Sequence, residues 1–241
     1  DFLSMTNVDA SAVPAWGSVD DLLIRNDAGA SQVYLYIAPT MDWDFATQAA
    51  GDYGIANWIS AAVPGQSMMQ LANVRIGGGD VTVTDARTGN DGALSLTVSG
   101  GSLTVGAAGT LEVLRDADVT GGGLNVAGAL NVARDLNIAA AGSLTVNGGQ
   151  LNAATLNTAG TTILNGAGGT VDTINVIAGT TTITAPAATK INASGGVLNT
   201  VGGSAADLAV DGGTVNTTGV ASAGSLQMTS GQVNLTGGSL S

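Results

Sequence analysis

Gly123-Leu-Asn-Val126, Gly128-Ala-Leu-Asn-Val132, Arg134-Asp-Leu-Asn-Ile138 and Gly142-Ser-Leu-Thr-Val146 follow one another as versions of one short phrase. Each places a polar residue between two apolar ones, which is the period of two of a β-strand with one buried face. Two spacings are nested in them. Leu124, Leu130 and Leu136 are one short step apart, whereas Val105, Val126 and Val146 mark a longer step of about 20 residues. We read the short step as one side of a coil and the long step as a complete coil. A phrase this short has no second layer to cover its apolar face, so the copies must stack on one another.

Outward from this stretch the phrase continues in both directions. Gly101-Ser-Leu-Thr-Val105 precedes it, and Gly149-Gln-Leu-Asn152, Gly196-Val-Leu-Asn199 and Gly213-Thr-Val-Asn216 follow. The expected fold is all-β: a right-handed parallel β-solenoid over residues 71–241, with roughly eight three-sided coils. At about 4.8 Å per stacked strand it would be about 40 Å long. Glycines would turn the corners. Leu, Val and Ile would fill a core too narrow for aromatic rings. Thr104, Asn125, Asn131, Asn137, Thr145 and Asn152 occupy the middle of the phrase and would stack as outward polar ladders.

Composition breaks near residue 65. All eight aromatic residues (Phe2, Trp16, Tyr34, Tyr36, Trp43, Phe45, Tyr53 and Trp58) lie before it, while only four of the 37 glycines lie before Pro64. Residues 1–70 therefore read as an N-terminal cap or assembly domain with an aromatic core. Within it, Asp21–Arg25 and Gln32–Ile37 read as a hairpin turning at Asn26–Gly29. The only segments with any helical pattern are 45–50 and 55–63.

The junction Asn57-Trp-Ile-Ser-Ala-Ala-Val-Pro-Gly65, followed by Val74-Arg-Ile-Gly-Gly-Gly-Asp-Val-Thr-Val83, resembles the entry segment of bacterial secreted β-solenoids of the autotransporter-passenger and PEP-CTERM types. Gln66, Ser67, Met68 and Met69 stand where such segments carry acidic residues. The resemblance implies export and an extracellular or cell-surface location. The chain begins at Asp1 without a basic segment and an apolar h-region, which fits a processed terminus or a fragment.

Several function classes are disfavoured by residue types alone. The formal charge is −12, and the six basic residues (Arg25, Arg75, Arg87, Arg115, Arg134 and Lys190) are scattered, so no nucleic-acid partner is expected. Cysteine and histidine are both absent, which removes disulfides, thiolate metal sites and His-dependent catalysis. Beyond residue 136 the charged groups are Asp172, Lys190, Asp207 and Asp211, too sparse for the clustered carboxylates of a polysaccharide lyase or hydrolase. We therefore expect no enzyme. No run of 18 apolar residues indicates a transmembrane segment.

Calcium is the one cofactor left open, at Asp42-Trp-Asp44 and Asp116-Ala-Asp118, where carboxylates lie close in sequence. Solvated loop carboxylates are the commoner reason for such pairs. The chain stops at Gly237-Gly-Ser-Leu-Ser241, inside the repeat pattern: either it is cut there or its open coil stacks on another subunit. The expected function is a structural fibre or layer subunit that self-associates head to tail. Trp16, Tyr34, Tyr36 and Trp58 would lie at one end, with Val233, Leu235 and Leu240 at the other. An adhesin-like stalk with surface glycans as partners is the alternative.

Overall fold

A computed structural model of the chain describes residues 22–27, 32–37, 40–43, 50–54, 58–60, 64–66, 72–88, 91–166, 168–184, 187–202, 204–219 and 222–236. It divides into two units, Asp1–Ala38 and Pro39–Ser241. In the first, β1 (Leu22–Asp27) pairs antiparallel with β2 (Gln32–Ile37), with Leu23 opposite Tyr36 and Arg25 opposite Tyr34.

The second unit is a parallel β-solenoid of about eight turns. It opens with β3 (Thr40–Trp43) and β4 (Ala50–Asp52), then β5 (Trp58–Ser60) and β6 (Pro64–Gln66). The first coils are β7 (Ala72–Ile76), β8 (Asp80–Val83) and β9 (Ala86–Arg87), then β10 (Ala93–Val98), β11 (Ser102–Val105) and β12 (Thr110–Val113). Next come β13 (Ala117–Val119), β14 (Gly122–Val126), β15 (Ala129–Ile138), β16 (Gly142–Asn147) and β17 (Gln150–Thr158). The last are β18 (Thr161–Asn165), β19 (Val171–Val176), β20 (Thr180–Thr184), β21 (Ala187–Ala193), β22 (Val197–Val201), β23 (Ser204–Thr218) and β24 (Ser222–Thr236).

Two faces run the length of the stack. On face A, Val74, Leu96, Ala117, Leu136, Leu156, Ile174, Ile191, Leu208 and Leu226 stand in register, one per coil. On face B, Val81, Leu103, Leu124, Leu144, Thr162, Thr181, Leu198, Val215 and Val233 do the same. The inward members are buried in one continuous core until the last coil. The alternation of the phrase is what sorts them, because every second side chain of a strand points the same way.

Four findings differ from the sequence reading. First, the stack starts earlier than residue 71, since β3 and β4 pair in parallel with β7 and β8. Second, Trp43 and Tyr53 are buried in the same core as Val74, Ile76, Val81 and Val83. The first coil thus takes the rings that the narrower later coils exclude, and burial pushes the Tyr53 phenol well above its ordinary range against the opposing charge of Arg87. Third, Trp58–Ser60, within the segment with a helical pattern, forms β5 and pairs antiparallel with β3. The open edge of β3 offers that backbone partners, and Pro64 disfavours helix just before it. Ala50, at the end of the other such segment, begins β4, and residues 45–49, 55–57 and 61–63 lie outside the described residues.

Fourth, the coils do not stay three-sided. Side-chain hydrogen bonds between successive coils span 22 residues at Ser95–Asn73, 21 at Asn152–Asn131, 20 at Asn157–Asn137 and 17 at Asn192–Asn175. The third side is a strand of its own at β12 and merges into longer strands at β15 and β17. It then shrinks to the row Ala153, Val171, Ala188, Ala205, Ala223. Small side chains suffice there because a shorter coil encloses less volume.

Glycine is obligatory where a corner lies directly on the corner beneath. Gly101 and Gly122 have φ of 65° and 74°. A Cβ on Gly101 would fall on the Gly79 carbonyl oxygen, and one on Gly122 on that of Gly101. Both the left-handed backbone and the close approach exclude a side chain.

Candidate functional site

The outward polar positions form hydrogen-bonded ladders. On face A, Asn137 Nδ2 donates to Asp118 Oδ1 at 2.8 Å and Asn157 Nδ2 to Asn137 Oδ1 at 2.8 Å. Asn175 then donates to Asn157, and Asn192 to Asn175, at 2.7 Å each. Every amide points its NH2 toward the preceding coil, so the dipoles align and the Asp118 carboxylate sits at their donor end. A second ladder on face B joins Asn234 to Asn216 at 2.8 Å and Asn216 to Asn199 at 2.9 Å. Gln232 Nε2 donates to Asn234 Oδ1 at 2.7 Å.

Beside the face A ladder lies a shallow trench of about 520 Å3, lined by Asp118, Asn137 and Asn157 of the ladder together with Thr120, Ile138, Ala139, Ala159 and Ile177. Its asparagine groups are already bonded to one another along the ladder, which leaves it few converging polar atoms for a ligand.

The carboxylates considered for calcium are spread out. Asp42 pairs with Arg75 Nε at 3.3 Å. Asp116 Oδ1 accepts the Asp135 backbone N–H at 3.2 Å, and Asp118 Oδ1 is the ladder acceptor. Asp44 lies outside the described residues. Among the described residues no three acidic groups are placed to hold a metal ion together.

The feature with the clearest physical demand is the coil of β24. This strand bonds to β23 alone among the described strands. Its inward positions continue the core columns, yet Leu226 is 45% exposed, Met228 52% and Leu235 49%, with Val233 half-buried. One coil below, Leu208, Val210, Val215 and Thr217 are all buried. The Thr217 hydroxyl, directly beneath Leu235, is buried with no hydrogen-bond partner among the described residues. Among the described residues, the β24 coil therefore presents apolar core together with a strand edge that pairs with no other strand.

Of the residues expected at assembly ends, Val233 and Leu235 belong to this coil. Tyr34 and Tyr36 lie on β2, and Trp58 lies on β5 opposite Trp43. Trp16 and Leu240 fall outside the described residues. Leu226 and Met228 were not singled out from sequence. Their segment Gly224-Ser-Leu-Gln-Met228 keeps the alternation but substitutes Gln and Met in the usual Leu-Asn-Val, and the alternation was the available signal.

The fold and its open coil define the chain as a β-solenoid repeat protein. In comparisons with known proteins, it matches no family, no curated sequence and no solved structure.

Proposed function

We propose that this protein is a structural subunit of an extracellular or cell-surface fibre or layer, in which the N-terminal region of one subunit covers the β24 coil of the next. The observation that carries this reading is the half-exposed row Leu226, Met228 and Leu235 on a strand that pairs, among the described residues, on one edge alone. Completing their burial would contribute about 1 kcal/mol for each side chain. The outer backbone groups of β24 would gain partners as well.

Unlike ends favour a head-to-tail contact. At the other end of the solenoid β3 is covered by β5, which carries β6, both antiparallel. A contact between two different surfaces is heterologous and propagates unless it closes into a ring. Trp16, Tyr34, Tyr36 and Trp58 are the residues proposed for the covering end. The extracellular setting rests on the resemblance of Asn57–Gly65 and the strand after it to exported solenoids.

Electron microscopy and sedimentation of the purified chain test the reading. Filaments or sheets should appear above a threshold concentration, and the double variant Leu226→Asp/Met228→Asp should remain monomeric with an unchanged circular dichroism spectrum. A wild-type chain that stays monomeric at high concentration, or that stops at a dimer, would overturn it.

A further inference from the structure

Face B carries no Asp, Glu, Lys or Arg on any strand from β11 to β24. Its outward side chains are small and uncharged, among them Thr161, Asn165, Thr182 and Thr184, with Ile163 38% exposed and Val201 47% exposed. Apart from Asp52 on β4 and Asp80 on β8, at the start of face B, the charge of the solenoid lies elsewhere. Asp118, Asp135, Lys190 and Asp207 are on face A, and Glu112 is on the third side.

From this distribution we infer that face B is a lateral contact, on which a second copy of the chain packs its own face B. The inference rests on the end-to-end reading above. Chains of net charge −12 repel wherever their carboxylates meet, and from β11 to β24 face B is a long surface on which two copies can approach without opposing like charges. Both copies present rows at the same spacing of about 4.8 Å, so a shift by one coil restores the register, and short Thr, Ser and Asn side chains interdigitate closely.

Area decides when this contact forms. Seven coil steps by about five residues give roughly 500 Å2 on each partner. A specific pair of free proteins buries about 800 Å2 per partner. One subunit alone therefore falls short. In a fibre joined end to end the faces become continuous, and each further pair of faces meets at high effective concentration. Single filaments form first and then pair.

The test compares wild type with Ile163→Lys/Thr182→Lys on face B and with Thr173→Lys on face A, imaged by electron microscopy with cross-section measured by small-angle scattering. Wild type and Thr173→Lys should give paired filaments, and the face B variant single filaments of about half the width with the melting temperature unchanged. Each lysine lowers the net negative charge, so lost pairing cannot come from stronger overall repulsion. Wild-type filaments that are single at every concentration, or face B variants that still pair, would overturn the lateral contact while leaving end-to-end assembly standing. Pairing lost equally in Thr173→Lys would overturn its assignment to face B, and absence of filaments in wild type would overturn both readings.

Discussion

Asn157 donates to Asn137 and accepts from Asn175, at 2.8 and 2.7 Å, so one side chain joins three coils. Its middle position in the phrase is readable as outward-facing, but its partners are 20 and 18 residues away and emerge only from the register. A net contribution of about 1 kcal/mol per hydrogen bond makes Asn157→Ala destabilising by about 2 kcal/mol at most. Its half-buried neighbours regain some of this from water. The expected drop in melting temperature is roughly 4 °C, measured by calorimetry. An unchanged melting temperature would mean that the ladder adds nothing beyond what solvent supplies. Similar logic explains why glycines were legible as corners: a positive φ leaves a trace in residue type, whereas the choice of hydrogen-bond partner does not.

The strands were legible where alternation is strict, as in β11, β14 and β16, and less so where the interior turns polar. Thr158, Thr162 and Thr181 occupy inward positions on β17, β18 and β20 and are fully buried. The Thr158 and Thr162 hydroxyls lie 2.8 Å apart, and Thr181 donates to Thr158 at 3.4 Å. In sequence these threonines look like solvent-facing residues; the structure turns Thr162 and Thr181 inward because β18 and β20 keep the face B register set by Leu144 below, and Thr158 because β17 keeps the face A register of Ile138. Thr158→Val alone removes a partner from two buried hydroxyls and should cost about 1–3 kcal/mol in urea unfolding. Replacing all three by Val removes the polar groups together and should be neutral or stabilising. Additive losses across the three sites would contradict this coupling. The loss of the third side was likewise hidden. The short and long spacings suggested a fixed coil near 20 residues, while the actual step falls to 17 as the corner row becomes alanine.

At the level of the whole molecule, the net charge of −12 opposes the end-to-end association proposed here. Salt therefore has a defined sign. Raising ionic strength from about 0.01 M to about 0.15 M shortens the screening length from about 30 Å to about 8 Å. The concentration needed for filaments, followed by light scattering, should fall several-fold over that range. Lowering the pH toward the isoelectric point near 4.1 should act the same way. A threshold that rises with salt would indicate contacts built on opposite charges rather than on the apolar coil of β24.

Repetition was readable without coordinates because its cause is local: apolar and polar residues alternating at period two, punctuated by glycine, bury their apolar side only by stacking. That reasoning reaches the parallel β-solenoid and its outward polar rows. It does not reach Trp43 and Tyr53 in the first coil, the threonines inside, or the exposure of Leu226 and Met228. Leu208 and Leu226 stand in the same column, each two residues before a second apolar side chain (Val210, Met228), yet one is buried and the other is not. The difference is that β24 lies over Leu208 while no described strand lies over Leu226, which is a property of the stack and not of the phrase.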